Sequence, residues 1–151
     1  METKIDDLSG PEIAKLLEAH LDLMRSLSPP ESVHALDLDA LRTPDITFWT
    51  AWENEELLGC VALRDLGKGE GEIKSMHTAK ASRGKGIAQQ MLDHLESHAL
   101  KAGMKRLSLE TGRPEAFAPA RMLYEKNGYR PCPPFGNYTD DPFSICMTKV
   151  L

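Results

Sequence analysis

The chain has 151 residues, a hydrophobic fraction of 41% and a formal net charge of -5, which together suit one domain over residues 1–151 with a real hydrophobic core. The acidic balance excludes a broad nucleic-acid interface, because such an interface needs a concentrated basic face. No apolar run approaches the about 20 residues of a membrane span, and the N-terminus has no apolar signal core, so we expect a cytoplasmic protein without a membrane partner.

The apolar periodicity predicts a mixed sheet flanked by helices. Ser9 and Glu12 form a capping-box pattern at the start of the first helix, and glycines and prolines mark most other ends. Hairpins come first and a strand–helix–strand unit follows, which is typical of a mixed α/β sheet with helices on its faces. In chain order, the predicted elements are helices over Pro11–Arg25 and Leu36–Leu41, strands over Ile46–Trp52, Leu57–Leu63 and Ile73–Thr78, a helix over Gly86–Ala102, a strand over Arg106–Glu110, a helix over Ala120–Asn127 and a strand over Phe143–Thr148.

A glycine-rich segment, residues 82–88, joins the strand that ends at Thr78 to the longest predicted helix. A helix start leaves backbone N–H groups without partners, and glycines let a ligand approach them closely. Together with the helix dipole and the cations of Arg83 and Lys85, these amides predict a phosphate or pyrophosphate site. A Walker loop is excluded because G-x-x-x-x-G-K-[ST] is absent. A Rossmann nucleotide site and a plain glycine-rich helix start both stay open, although no third glycine follows Gly86.

Three segments carry a recognisable pattern in the same order along the chain. Glu72 lies on one strand, and Arg83, Gly86 and Ala88 then match the phosphate motif Q/R-x-x-G-x-G/A. The segment Ala120–Tyr129 looks like A-x-x-L-Y-x-x-x-G-F/Y, and a closing strand follows it. In these features the chain resembles the GNAT superfamily of N-acetyltransferases over nearly its whole length. It is most similar to the small bacterial indoleacetate-acetyltransferase-like subgroup.

The resemblance implies an acyl-CoA N-acyltransferase fold and acetyl-CoA as the acetyl donor, with no metal. That fold is a twisted mixed sheet of six to seven strands flanked by about four helices, and its two central parallel strands separate at the middle. The pantetheine arm would lie along Ile73–Thr78, where the Met76 amide would face the thioester carbonyl and Thr78 would pair with the arm. The pyrophosphate would contact the loop residues Arg83, Gly84, Lys85, Gly86, Ile87 and Ala88.

The chemistry implied is direct attack by an amine of a small molecule or peptide on the acetyl group. A protonated amine is a poor nucleophile, so a carboxylate or an ordered water must accept its proton. Glu72 is the candidate base, and a surface glutamate that pairs with a nearby lysine is the alternative. The Met76 amide is the candidate donor to the oxyanion. Tyr124 is the candidate acid for the leaving thiolate and a coenzyme contact, and ordinary helix packing is the alternative.

The acceptor site implied by the resemblance is framed by Met24–His34 and by the Pro133–Tyr138 loop, which Asp140 and Asp141 follow. This frame indicates an amine with some apolar character. One position departs from the family, which often has an asparagine where this chain has Phe117. We expect apolar packing there instead of a polar contact with the coenzyme.

Two other classes of function stay open, an acetyl-CoA sensor without turnover and a Rossmann-like nucleotide-binding module. A homodimer rests on the resemblance alone. His94 and His98 have i, i+4 spacing without a third ligand nearby, so they are interpreted as exposed helix residues. His34 and His77 are interpreted as satisfied structural histidines, and a place in the lining of an acceptor pocket is the alternative. The three cysteines are widely spaced and indicate neither a disulfide framework nor a zinc site.

Overall fold

A single seven-stranded sheet forms the centre of the molecule, which the computed structural model describes over residues 1–33 and 38–151. The strands are β1 (Glu2–Ile5), β2 (Ile46–Glu53), β3 (Glu56–Gly67), β4 (Glu70–Thr78), β5 (Arg106–Gly112), β6 (Arg130–Cys132) and β7 (Ser144–Val150). Their order across the sheet is β1-β2-β3-β4-β5-β7-β6. Within the described residues only β4 and β5 pair in parallel. The predicted mixed sheet is therefore confirmed, and the doubly wound sheet of a Rossmann-like module is wrong for this chain.

Three α-helices occur within the described residues, α1 (Pro11–Leu27), α2 (Ile87–Lys101) and α3 (Ala118–Lys126), where about four were expected. The helices lie on both faces of the sheet, with α1 on one face and α2 and α3 on the other. Successive side chains of a strand point to opposite faces, so each strand contributes to both cores. On β3, Cys60 and Ala62 belong to the core cluster under α1, whereas Val61 and Leu63 belong to the cluster under α2 and α3. We call these two sides the α1 face and the α2 face. No helix of the described ranges is both long and apolar enough to cross a membrane.

The ends of several elements differ from the predictions. The capping box is wrong, because Gly10 occupies the N-cap of α1 and the Ser9 hydroxyl bonds to the Asp7 carboxylate. A short 3-10 helix, Ala40–Arg42, lies in the second half of the predicted helix Leu36–Leu41, and residues 36 and 37 lie outside the described ranges. The edge strands β1 and β6 escaped prediction because each is very short, and β6 also contains a proline.

The two central strands separate halfway along their length. The ladder between β4 and β5 runs from Glu70 opposite Arg106 to Ile73 opposite Leu109, where it ends. Beyond that point β4 stays paired with β3 as far as Thr78, and β5 stays paired with β7 as far as Gly112. The far halves of β4 and β5 therefore have no strand between them. This split is the feature of the fold that positions the site.

A β-bulge in β4 changes which side chains face α1. Lys74 pairs with Ala62, but His77 pairs with Cys60, so β4 has one more residue than β3 in this interval. Ser75 absorbs the extra residue with a positive φ of 53°, a conformation that non-glycine residues rarely adopt. Ala62 and Cys60 both lie on the α1 face. The bulge therefore places Lys74 and His77 on the same face, although three positions separate them in sequence.

Candidate active site

The split between β4 and β5 opens into a cavity of about 780 Å³. Its walls come from β4, β5, α1, α3 and the start of α2. The cavity brings together most of the site residues that the sequence predicted, namely Met76, Thr78, Arg83, Gly84, Gly86, Ile87, Ala88 and Tyr124. Glu72 and Lys85 are not part of the lining. The loop, the strand and the α3 tyrosine thus converge on one space, as the resemblance implied.

The glycine-rich loop is open toward solvent at the mouth of this cavity. Gly84 and Gly86 have φ values of 78° and 77°, and no atom lies within 4 Å of where a Cβ would stand on either residue. Gly86 is the N-cap of α2, so the first amides of the helix lack intrahelical acceptors. Arg83 and Lys85 are exposed beside them. Free amides, the positive end of a helix and two cations make a site for an anion such as a pyrophosphate.

The backbone of β4 beyond Ile73 has no strand partner on the side toward the split. Met76 packs against the core of the α2 face, and Thr78 ends the strand next to the loop. An extended ligand with amide groups can pair with such an open edge as an added strand does. This edge runs directly toward the glycine-rich loop. One elongated ligand can therefore occupy both.

Tyr124 lies on the α2 face and lines the cavity with 5% of its surface exposed. Its ring packs edge-on against Tyr129, with the centroids 5.7 Å apart. Burial raises the pKa of the Tyr124 hydroxyl above its ordinary value. The hydroxyl is therefore protonated throughout the neutral range, which is the state a proton donor requires.

Glu72 is buried on the α1 face within a cluster of three polar side chains. Its carboxylate accepts hydrogen bonds from Lys74 Nζ at 3.1 Å and from the Tyr138 hydroxyl at 2.6 Å, and Lys74 Nζ also donates to the Tyr138 oxygen at 2.9 Å. Burial and the neighbouring carboxylate raise the pKa of Tyr138. We call these residues the Glu72 cluster. Lys74 and Tyr138 line the cavity whereas Glu72 lies behind them, so the glutamate is paired with a lysine but is buried instead of exposed.

A pair of buried histidines lies in the same wall, His20 from α1 and His77 from β4. Their Nδ1 atoms are 3.1 Å apart, and both rings line the cavity. Burial lowers the pKa of each to about 4, with His77 adding to the effect on His20 and Arg83 to the effect on His77. Both rings are therefore neutral near pH 7. The sequence pointed to His77 but missed His20, which continues the buried stripe of Ile13 and Leu16 on α1.

Phe117 packs at the end of β5, next to the start of α3. A Cβ on Gly112 would lie 2.2 Å from Phe117 Cδ2, so the ring occupies the space above that glycine. Phe117 is 9% exposed and lines the cavity. The position thus contributes apolar surface to the site, in agreement with the apolar packing expected there.

One wall of the cavity is mainly apolar, and we call it the acceptor-side wall because most of it comes from the regions that the resemblance assigned to the acceptor. Several residues of the Met24–His34 stretch line the cavity, and so does Tyr138 of the Pro133–Tyr138 loop. His34 lies outside the described residues. Asp140 is exposed and neither it nor Asp141 lines the cavity. The apolar and small polar residues of this wall are Leu23, Met24, Leu27, Ser28, Ser32, Val33 and Phe143.

His94 and His98 of α2 do not line the cavity. His94 is exposed, as predicted, whereas His98 is half-buried and meets the edge of the Trp49 ring at 5.0 Å between centroids. Trp49 itself is a core residue. Within residues 1–33 and 38–151, no three histidine, cysteine or acidic side chains are grouped closely enough to hold a metal ion.

Comparison with known proteins places this arrangement in context. Residues 13–129 match the family model described as the acetyltransferase (GNAT) family. The chain is 52% identical to the uncharacterized N-acetyltransferase YsnE of Bacillus subtilis (strain 168) over all of both chains. It is 39% identical to an IAA acetyltransferase of Azospirillum brasilense, over 92% of this chain and 90% of that protein. In fold it is similar to a GNAT family acetyltransferase from Elizabethkingia anophelis with acetyl-CoA bound, at a TM-score of 0.74 and 22% identity over 99% and 97% of the two chains.

Proposed function

This chain belongs to the acetyltransferase (GNAT) family, and we propose that it moves the acetyl group of acetyl-CoA directly to the amine of a small molecule or peptide. The observation that carries the proposal is the split sheet, because its cavity joins the glycine-rich loop and Tyr124 to the buried polar groups of the α1 face. A donor bound from the α2 face and an acceptor bound from the α1 face would meet inside it. Neither would have to leave the cavity for the group to be transferred.

The coenzyme would be held by backbone groups more than by side chains. The amides from Gly84 to Ala88 would bind the pyrophosphate, with Arg83 and Lys85 neutralising its charge. Met76 and Thr78 would pair with the pantetheine arm along the open edge of β4. The absence of any atom above Gly84 and Gly86 fits this assignment, since a ligand can reach both amides at close range. Bound acetyl-CoA supplies an activated thioester carbonyl.

Two groups would act on the thioester end of the donor. The Met76 amide would donate to the carbonyl oxygen as negative charge develops there, and one such donor contributes about 3 kcal/mol in other enzymes. The Tyr124 hydroxyl would give its proton to the departing sulfur. The raised pKa of Tyr124 supports this role because it keeps the proton on the hydroxyl until a thiolate forms.

Glu72 would accept a proton from the acceptor amine through Tyr138. The carboxylate does not line the cavity, but the Tyr138 hydroxyl does, and its hydrogen bond to Glu72 measures 2.6 Å. A proton arriving at the tyrosine oxygen can move on to the carboxylate as the tyrosine gives up its own proton. Lys74 would hold both oxygens in place during this exchange.

The acceptor proposed is a primary amine with an apolar body. The wall beside Lys74 and His77 consists mostly of aliphatic and aromatic side chains, which would bind alkyl or aryl groups by burying their surface. A homodimer is a further prediction for this chain, and light scattering on the purified protein tests it.

The first test is calorimetric titration of the purified protein with acetyl-CoA, with NAD and ATP as comparison ligands. We expect a Kd in the micromolar range for acetyl-CoA and much weaker binding of the other two. Thiol release would then be measured with phenethylamine, phenylalanine amide and a short peptide with a free N-terminus. No binding of acetyl-CoA by folded protein would contradict the proposal, and binding without thiol release from any amine would favour the sensor alternative.

A further inference from the structure

The buried histidine pair has two ring nitrogens that remain available to a substrate. The contact between the Nδ1 atoms of His20 and His77 is a hydrogen bond, so one neutral ring carries its proton on Nδ1 and the other carries its proton on Nε2. Within the described residues neither Nε2 atom has a hydrogen-bond partner, and neither is a sealed buried atom. The pair therefore leaves one bare Nε2 and one Nε2–H accessible, and both residues line the cavity.

The pair lies on the side of the sheet from which an acceptor would approach. The bulge at Ser75 turns His77 toward α1, and His77 follows Met76, whose amide is the proposed donor to the thioester oxygen. His20 lies one turn before Leu23 and Met24, which form the acceptor-side wall. His77 is thus next to the proposed place of reaction, and His20 is next to the acceptor-side wall.

We propose, resting on the proposed function, that His77 and His20 form a two-ring relay that removes the proton from the amine nitrogen as it bonds to the acetyl carbon. The N–H bond of the cationic adduct breaks and His77 Nε2 binds its proton. The Nδ1 proton of His77 passes to Nδ1 of His20, and His20 Nε2 releases its proton to water. The C–S bond then breaks and the sulfur takes the Tyr124 proton. Both imidazoles end neutral, and exchange with water restores their starting tautomers. Water also takes the first proton from Glu72 and returns one to the Tyr124 oxygen, so one proton in total goes to solvent.

The relay removes the second proton of the amine nitrogen, which the Glu72 cluster does not account for. An ammonium acceptor loses two protons from nitrogen during the reaction, one before attack and one after it. The first must leave an alkylammonium, and the second is more acidic because the adduct carbon bears oxygen and sulfur. The relay suits the second proton, because both imidazoles are neutral near pH 7 and neither has to stay charged once His20 Nε2 releases its proton. The carboxylate of Glu72, which already accepts two hydrogen bonds, is left for the first.

The test uses three variants of the whole protein, His77→Ala, His20→Leu and the control His94→Ala. We expect kcat for the best amine of the panel to fall about 100-fold in His77→Ala and at least about tenfold in His20→Leu, with the Kd for acetyl-CoA changed less than twofold. Added imidazole should restore part of the rate of His77→Ala, which a purely structural role would not allow. His94 is exposed on α2 outside the cavity, so His94→Ala should keep the full rate.

Unchanged kcat in folded His77→Ala and His20→Leu would overturn the relay while leaving acetyl-CoA binding and the proposed function intact. A separate measurement covers the case in which a variant fails to fold. In the wild-type protein, nitrogen NMR of the histidine rings should show one Nδ1–H and one Nε2–H tautomer. The signal of His77 Nε2 should shift when phenethylamine is added to protein saturated with coenzyme A. Two identical tautomers, or no shift with any amine of the panel, would also overturn the proposal.

Discussion

Tyr124 carries the most specific chemical prediction of any single residue. Tyr124→Phe removes the hydroxyl and keeps the ring packed edge-on against Tyr129. We expect kcat to fall about 10- to 100-fold because the sulfur then leaves without a proton donor. The Kd for acetyl-CoA from calorimetry should stay within about twofold of the wild-type value.

The neighbouring tyrosine provides a matched control for that substitution. Tyr129 is fully buried on the same face and does not line the cavity. Tyr129→Phe should therefore leave kcat unchanged. Equal losses in both variants would mean that Tyr124 acts through packing and not through its proton.

The histidine pair predicts an acid-sensitive fold. His20 and His77 have pKa values near 6.5 when unfolded and about 4 when folded. Between these values the unfolded chain binds more protons, so the free energy of unfolding falls as the pH is lowered from 6.5 toward 4. Each ring contributes at most about 3 kcal/mol to this loss. Urea unfolding at pH 7 and pH 4.5 measures it.

A variant that lacks one ring separates this effect from that of the carboxylates. His20→Leu retains an apolar side chain in the buried stripe of α1 and should lose less stability between the two pH values than the wild type does. His94→Gln, on the exposed surface of α2, should retain the whole dependence. If His20→Leu lost as much stability between pH 7 and pH 4.5 as the wild type does, the pH dependence would not come from the histidine pair.

At the scale of elements, the passage from β4 to α2 forms the binding loop. Gly84 has a positive φ and open space above it, so Gly84→Asp would place a carboxylate where the pyrophosphate is proposed to bind. We expect the affinity for acetyl-CoA to fall at least about 100-fold, because a like charge replaces a cationic environment. Calorimetry with acetyl-CoA measures the change.

Gly67 offers a control substitution, because it has a positive φ similar to that of Gly84. It is the last residue of β3, directly before the turn into β4, with a φ of 82° and no contact within 4 Å of a Cβ. Gly67→Asp introduces the same strain and the same charge far from the loop, so it should bind acetyl-CoA normally. Similar losses of affinity in the two variants would indicate a general effect of charge or folding.

At the scale of the whole molecule, the Glu72 cluster connects the loop between β6 and β7 to β4, next to the split in the sheet. Tyr138 belongs to the segment between β6 and β7, whereas Glu72 and Lys74 belong to β4. The side chains of Lys74 and Glu72 are only 7% and 5% exposed. Lys74→Met would leave the carboxylate buried without its cation, which destabilises proteins by about 3 to 5 kcal/mol. Thermal or urea unfolding measures the loss.

The double variant tests whether the loss comes from the unpaired charge. Lys74→Met with Glu72→Gln removes both charges and should recover part of the lost stability. The surface pair of Arg42 and Asp39 serves as a comparison, and breaking it with Asp39→Asn should cost less than about 1 kcal/mol. A double variant as unstable as Lys74→Met would show that the lysine stabilises the fold through packing.

The sequence determined the local features of this protein. Apolar periodicity located the main helices and the central strands, and glycines in a motif located the loop, because these signals depend on neighbouring residues only. The two short edge strands could not be recognised this way, since pairing with β2 and β7 stabilises them more than their own residues do. The start of α1 at Pro11 was predicted correctly, but its N-cap was misread because Ser9 bonds to Asp7 instead of the helix.

Only the tertiary structure decided which polar groups meet at the split. Strict alternation along β4 would put His77 on the face opposite Glu72 and Lys74, and the bulge at Ser75 reverses that orientation. Tyr138 reaches Glu72 from 66 positions away along the chain, and His20 reaches His77 across the space between α1 and the sheet. Such contacts depend on how sheet, helix and loop pack together, and no pattern of near neighbours encodes them.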